Sequence, residues 1–242
     1  MVEFFHHFKN LVEEKEGTII ESRKNQQIEY HCAILPHGAS IQNQDHLTGG
    51  LAILWEDQRL KLRSFAYREV SNSCIIKPEK NRSLDFFPHE LEGFVIEVFS
   101  QIEALRIHIA KDWAQHFKEA KSGSHPLSID ILSQMVDEIC PGSDTYEKIC
   151  NYILEEDNRG LNPLGKLGKR VRRTQVLDRF DAANAVMSLA KHAQYPGLRW
   201  QLMELGGKIL WEKNRFQSIS TNPGSILKLL QKDRRSSYVR GK

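Results

Sequence analysis

A glycine-rich basic segment, GLNPLGKLGKRVRR at residues 160–173, contains the residue types that bind phosphate groups. Gly160 to Lys166 match GxxxxGK, the spacing with which a P-loop surrounds nucleotide phosphates. Position 167 is leucine, where a hydroxyl would hold magnesium, and the preceding residues NYILEEDNR are typical of a helix rather than a strand. The pattern therefore argues against a nucleotide-binding loop.

The same segment is better interpreted as a basic stretch in front of a helix. Thr174 is an acceptable N-cap and Asp178 would lie in the first turn, so five basic residues precede that helix. Free backbone amides at a helix start and arginine side chains both bind phosphate, whether it belongs to DNA, RNA or a lipid. The alternative is a solubilising loop that folds back on acidic residues of the same chain.

The charge distribution along the chain supports a polyanionic partner. The net charge is +3, yet residues 1–157 carry 16 basic and 26 acidic residues, a net −10, while residues 158–242 carry 18 basic and 5 acidic, a net +13. Such an asymmetry between halves is typical of chains whose basic half binds nucleic acid or another anionic surface. The competing explanation is that the two halves attract each other.

We therefore predict a nucleic-acid-binding protein without enzymatic activity, with DNA slightly favoured over RNA. Its phosphate contacts are predicted to be Lys166, Lys169, Arg170, Arg172, Arg173, Arg179, Arg234, Arg235 and Arg240. Aromatic residues lie among the basic ones, and of these Tyr238 is the best candidate for stacking on bases, whereas Phe180 and at least one tryptophan are assigned to the core. The helices around HAQYPGLRW fit a helix-turn-helix or an ordinary helical hairpin. The alternative function is an adaptor whose basic half binds an acidic protein or an anionic membrane.

The sequence offers little support for catalysis or metal binding. Glu56, Asp57 and Glu69 lie near predicted strand ends, where carboxylates could hold magnesium in a nuclease, but hairpin turns carry such residues for solubility. No GxSxG motif is present, and the ten histidines show no recognised metal-ligand spacing. We expect no metal, no cofactor and no catalytic residues, with a metal-dependent nuclease as the second alternative.

Composition predicts a compact intracellular protein. The chain has 242 residues, enough to bury a full hydrophobic core. No stretch approaches the roughly 18 apolar residues that a membrane-spanning helix needs, and the acidic N-terminal sequence does not resemble a signal peptide. Four cysteines without a pairing pattern fit a reducing compartment. We expect a cytoplasmic location, with the acidic half as a scaffold or as a docking surface for a protein partner.

Hydrophobic periodicity predicts an α+β fold: a small antiparallel sheet with an N-terminal helix, followed by a mostly helical remainder. Apolar residues at helical spacing predict the first helix, which ends at Gly17. The segments TIIES, IEYHCAIL, LAILWE, RLKLRSFAY and SCIIKP are predicted to form strands, and PHGASIQNQDHLTGG (36–50) a loop.

From Pro88 onwards the pattern becomes helical. Apolar residues at steps of three or four predict a helix of more than seven turns that contains Leu91, Phe94, Val95, Val98, Ile102, Leu105, Ile109, Trp113 and Phe117. Further helices are predicted at 127–140, 144–156, 174–190, 198–216 and 225–232. The shifts in composition divide the chain into an N-terminal α+β region (1–86), an acidic helical region (87–157) and a basic helical region with a C-terminal tail (158–242).

Overall fold

The computed structural model describes residues 2–24, 28–42, 45–69, 73–78, 84–121, 127–141, 149, 151 and 176–212. The strands are β1 (Thr18–Lys24), β2 (Glu29–Gln42), β3 (Asp45–Glu56), β4 (Arg59–Arg68), β5 (Ser73–Ile76), β6 (Asp85–Phe86), β7 (Leu127–Ser128) and β8 (Val176–Leu177). The helices are α1 (Val2–Glu14), α2 (Leu91–His108), a π-helical turn (Ile109–Trp113), α3 (Ala114–Lys121), α4 (Ile129–Asp137), α5 (Arg179–His192) and α6 (Pro196–Trp211). The predicted α+β class is confirmed.

An antiparallel sheet occupies the centre of the fold. Its order is β1-β2-β3-β4-β5, and the short strand β6 pairs with β4. The predicted turn between the third and fourth strands is confirmed, because Asp57 and Gln58 have φ angles of 51° and 61°. Two successive residues with positive φ are what a tight two-residue hairpin requires.

The predicted loop at 36–50 is wrong. In the described residues, β2 continues to Gln42 and β3 begins at Asp45, and the two strands pair over most of this segment. The glycines that suggest a loop are required by packing: a side chain at Gly49 would meet Ile109 of the long helix, and one at Gly50 would meet the Phe65 ring. The close approach of the Ile109 and Phe65 side chains to the strand backbone, rather than a turn, explains these glycines.

The predicted long helix is a single helical segment from Leu91 to Lys121 that contains the π-helical turn. Leu105, Ile109, Trp113 and Phe117 follow one another in steps of four, and in a regular α-helix each such step rotates the side chain by about 40°. The π turn, in which the Ala114 N–H donates to the Ile109 carbonyl, widens the helix locally and opposes this drift. All four side chains therefore remain buried.

Helices cover both faces of the sheet. On one face, Phe5 of α1 contacts His31, and Gly49 lies beneath the long helix. On the other face, Trp200 and Met203 of α6 contact Tyr30 of β2. Described residues of all three predicted regions contribute to one hydrophobic core, and the division at 86 and 157 stays a prediction.

The other predicted helices are found in part. The helix predicted at 127–140 is α4, preceded by β7, and Ser128 caps it by accepting a hydrogen bond from the Ile131 N–H at 3.2 Å. The helix predicted at 198–216 is α6, and the helix at 225–232 lies outside the described residues, as does 144–156 apart from Ile149 and Asn151. Among the described residues, no helix combines the length and hydropathy needed to cross a bilayer.

Candidate nucleic-acid interface

Most of the predicted phosphate contacts fall outside the described residues. These are Lys166, Lys169, Arg170, Arg172, Arg173, Arg234, Arg235 and Arg240. The GxxxxGK segment, Thr174 and Tyr238 lie outside them as well. Of the predicted interface, the structure therefore describes Arg179 and the residues at which the basic segments join the folded protein.

Arg179, a predicted phosphate contact, is buried inside the protein. Its side chain is 2% exposed, and Nη1 donates to the Leu210 carbonyl oxygen at 2.7 Å. Burial lowers the pKa of the guanidinium, and the nearby carboxylates Glu119 and Asp178 act in the opposite direction. This arginine connects the first turn of α5 to the end of α6 and has no exposed surface for a phosphate.

The start of α5 also differs from the prediction. Asp178, not Thr174, is the N-cap: its backbone is extended and its Oδ1 accepts a hydrogen bond from the Asp181 N–H at 2.7 Å. Val176 and Leu177 form β8, which pairs with β7 and cannot be helical at the same time. Both Thr174 and Asp178 are good capping residues, and the pairing of β8 with β7 selects the second one.

The described part of the basic half carries no excess charge. Residues 176–212 contain four basic and four acidic residues, whereas 158–175 contain six basic and no acidic residues, and 213–242 contain eight basic and one acidic. The whole positive excess of the basic half therefore belongs to two segments, one on each side of the α5–α6 hairpin. We call these two segments, 158–175 and 213–242, the basic flanks.

The two basic flanks join the folded body at adjacent positions. Because α5 and α6 form an antiparallel hairpin, the first turn of α5 lies beside the last turn of α6, as the bond between Arg179 and Leu210 shows. The chain therefore enters the described hairpin at Val176 and leaves it at Glu212 on the same side of the protein. We call this place, residues 176–179 and 210–212, the junction.

An aromatic cluster lies under the junction. Trp211 contacts Trp113 and Phe117 with ring centroids 5.6 and 5.7 Å apart, and Phe117 contacts Phe180 at 6.0 Å. Within the described residues the buried indole nitrogens of Trp113 and Trp211 have no hydrogen-bond acceptor. A buried N–H without an acceptor costs free energy, so these two indoles reduce the stability gained by packing the cluster.

Cations from the first half of the chain also approach this cluster. Lys77 Nζ lies 5.6 Å from the centre of the Trp113 ring, Lys121 Nζ lies 5.3 Å from that of Phe180, and Arg68 lies 4.7 Å from the same ring. Such cation–π contacts hold positive charge close to apolar surface. The acidic half therefore supplies basic residues at the point where the basic flanks begin.

Arg199 and two aromatic residues of the α5–α6 hairpin have structural roles. Arg199 is 9% exposed, forms an ion pair with Glu21 at 2.7 Å and donates to the Ala190 carbonyl at the end of α5. Phe180 and Trp200 are buried, which confirms their assignment to the core. Gln201 alone of residues 196–211 is exposed, so α6 has no free face for a DNA groove, and the helical-hairpin interpretation is favoured over a helix-turn-helix.

The carboxylates considered for a nuclease site do not meet. Asp57 lies in the turn between β3 and β4, while Glu69 follows the opposite end of β4, an extended strand of ten residues that is about 30 Å long. The Glu56 carboxylate is bound instead by Lys61 at 2.8 Å. Within the part of the chain that the structure describes, no three His, Cys, Asp or Glu side chains are grouped to hold a metal ion.

A buried polar cluster on the other side of the hairpin gives no signal in the sequence. The Tyr30 hydroxyl is hydrogen-bonded to the Cys32 thiol under Trp200, and both side chains are fully buried. Burial raises the pKa of Tyr30 and the pKa of Cys32 well above their ordinary values, and the nearby Cys74 thiol adds to both effects. Alternation of inward and outward residues places Tyr30 and Cys32 on one face, but nothing in the sequence indicates which helix covers them.

This cluster predicts a loss of stability at alkaline pH. Cys32 and Tyr30 stay protonated in the folded state, whereas the unfolded chain releases these protons above about pH 8.5 and 10, so the free energy of unfolding should fall as pH rises through that range. Urea unfolding with a reductant, followed from pH 7 to pH 11, measures this slope. Cys32→Ser should make the slope shallower, and a parallel curve for that variant would contradict the prediction.

Comparisons of the chain with protein-family models, with curated proteins and with solved structures gave no match.

Proposed function

We propose that the protein binds nucleic acid, with DNA favoured, and that the two basic flanks do so together. The observation that carries the proposal is the bond between Arg179 and Leu210, which brings the attachment points of the two flanks to one place. Together the flanks contain fourteen basic residues and one acidic residue. A polyanion held at the junction can therefore be contacted by both.

The fold supports this proposal because the excess positive charge lies in the two basic flanks and not in the buried α5–α6 hairpin between them. The α5–α6 hairpin between the flanks has no net charge, and most of its side chains are buried. It therefore fixes the positions at which the two flanks leave the folded protein. Its own arginines, Arg179 and Arg199, are already bound inside the protein. The predicted contacts in the flanks are thus those that remain for phosphates: Lys166, Lys169, Arg170, Arg172, Arg173, Arg234, Arg235 and Arg240. We propose no catalytic step and no cofactor.

Salt dependence of DNA binding tests the proposal. With about six phosphates neutralised, the affinity for a fluorescent duplex should fall on the order of a thousandfold between 50 and 200 mM salt, because binding releases condensed counterions. Fluorescence anisotropy measures this, and single-stranded DNA and RNA of equal length show which nucleic acid is preferred. Absence of binding at 50 mM salt would reject the proposal.

Charge-neutralised variants locate the contacts. Replacing Arg170, Arg172 and Arg173 by glutamine should reduce the slope of log affinity against log salt by about one for each phosphate that is no longer neutralised, and the same change at Arg234, Arg235 and Arg240 should reduce it similarly. Lys9→Gln combined with Lys24→Gln is the matched control, because these lysines are exposed and pair with Glu13 and Glu29 elsewhere on the protein. An effect of the control equal to that of the flank variants would show non-specific attraction.

Two further assays separate nucleic-acid binding from the alternative functions, an adaptor and a metal-dependent nuclease. If the flanks serve an adaptor, the protein should float with anionic liposomes or bind an acidic protein while nucleic acid has no effect. A metal-dependent nuclease would degrade the duplex in the presence of magnesium or manganese.

A further inference from the structure

The outward face of α2 carries large exposed apolar side chains, and among the described residues Lys15 contacts one of them, with its Nζ 4.7 Å from the centre of the Phe99 ring. Ile96 is 63% exposed and Ile107 is 57% exposed, and Phe99 lies beside them at 44%. Residues 96 and 107 are three turns apart, so they project from the same side of the helix, opposite to the buried stripe of Phe94, Val98 and Leu105. A row of large exposed apolar residues on one helix is typical of an interaction surface.

Gly93, in the first turn of α2, lies next to open space in the described structure. A side chain at Gly93 would meet no described atom within 4 Å, so packing inside the described chain does not require glycine there. Glycine is less favourable in a helix than alanine, which makes an unneeded one a cost. A glycine at this position leaves room for a partner helix to approach the backbone of α2.

The charges on this face fit a second copy of the same helix. Within the described residues Glu92 at the start of α2 and Lys111 in the π turn are exposed and have no ion-pair partner. Glu103 is already paired with Lys15 and Asp112 with His108, whereas Arg106, next to Ile107, is exposed and also has no ion pair among the described residues. Glu92 and Lys111 lie at opposite ends of the apolar row and have opposite signs.

We infer that the protein forms a homodimer in which α2 packs antiparallel against α2 of a second copy. A two-fold axis midway between positions 101 and 102 places Ile96 against Ile107 of the other copy. The same axis, with no further adjustment, places Glu92 against Lys111 and Ser100 against Glu103. One symmetry operation thus covers Ile96 and Ile107 and pairs Glu92 with Lys111, and the same patch serves both copies, as an isologous interface requires.

The register excludes the parallel arrangement of the same two helices. In a parallel pair Glu92 would face Glu92 and Lys111 would face Lys111, so like charges would oppose each other at both ends.

The apolar row spans about 17 Å of helix, so the interface is small and its dissociation should be measurable. The dimer is independent of nucleic-acid binding, because α2 and the junction use different residues.

Sedimentation velocity of the full chain, treated with nuclease and freed of nucleic acid, tests the inference. Between about 5 and 300 µM the sedimentation coefficient should rise from that of a monomer to that of a dimer, which is the behaviour of a small interface. Ile107→Glu should raise the dissociation constant at least tenfold, since it buries a charge against Ile96. Ile20→Glu, at an exposed isoleucine on β1, is the matched control and should leave it unchanged.

Charge reversal then identifies the register. Glu92→Lys alone and Lys111→Glu alone should each weaken the dimer about tenfold, because each places two like charges together at both ends of the interface. An equimolar mixture of these two variants should dimerise like the original chain, because every contact in the mixed dimer joins opposite charges. A monomer at all concentrations, retention of the dimer by Ile107→Glu, or failure of the mixture to restore it would overturn the inference.

Discussion

Replacing Gly207 by alanine should lower the free energy of unfolding by about 3 kcal/mol, the largest effect that we expect from a single methyl group in this protein. Gly207 lies on the face of α6 that packs against β5, where an added Cβ would overlap the backbone carbonyl of Ile76. This obstacle belongs to the backbone and cannot change rotamer to make room. The helix itself would therefore have to move away from the sheet.

That movement would disturb the packing of α6 on the sheet on either side of Gly207. Trp200 and Met203 would withdraw from Tyr30, and Glu204 would no longer pair with Arg63, from which it lies 3.6 Å away in the structure. Disruption of close packing over several residues explains why the expected cost exceeds that of an ordinary surface substitution. Urea unfolding followed by tryptophan fluorescence measures it.

Gly206 provides a matched control one residue away. An added Cβ there would meet the sulfur of Met187 at 3.0 Å, and a methionine side chain can change rotamer to make room. The gain in helix propensity, about 1 kcal/mol, offsets that adjustment, so Gly206→Ala should leave stability nearly unchanged. Equal stabilities of the two variants would show that α6 does not rest on the Ile76 carbonyl.

The parts of the fold that follow from local periodicity can be predicted from the sequence. Helix α1 and the run from Leu91 to Lys121 repeat apolar residues every three or four positions, and such patterns survive tertiary packing. The turn at Asp57 and Gln58 is likewise predictable, since two alternating segments flank a short polar pair. Each of these features depends on residues close to one another in the chain.

The failures depend on contacts between distant residues. Gly49 and Gly50 indicate a loop by composition, yet Ile109 and Phe65 require them inside a strand. Helix α5 starts after Asp178 rather than Thr174 because β8 pairs with β7, about fifty residues earlier in the chain. Neither partner can be identified from a single sequence, because local propensity is weaker than the packing that overrides it.

The candidate interface can also be predicted only in part from the sequence. The charge asymmetry between the halves is a property of composition and is visible directly, whereas the neutrality of the α5–α6 hairpin gains its meaning only when the junction is known. Sequence alone places Arg179 on the surface because most arginines are exposed. Its true environment is set by the Leu210 carbonyl, 31 residues later.

Replacing Arg179 by methionine should lower the free energy of unfolding by about 3 kcal/mol while leaving the salt dependence of DNA binding unchanged. The loss of stability follows because the Leu210 carbonyl would remain buried without its donor and the carboxylates of Glu119 and Asp178 would lose the attraction of the Arg179 charge. Urea unfolding and anisotropy titration, both at a temperature where the variant is folded, measure the two quantities.

The second half of this prediction distinguishes an internal role from a phosphate contact. A residue that neutralises a phosphate contributes about one unit to the slope of log affinity against log salt, so its removal must make the slope shallower. Arg179 is buried, and its guanidinium cannot reach a polyanion unless the junction opens. Arg179→Lys keeps the charge but not the geometry of the bond to Leu210, and it should also destabilise the fold. A shallower slope with unchanged stability in Arg179→Met would return Arg179 to the interface and remove the bond that brings the two basic flanks together.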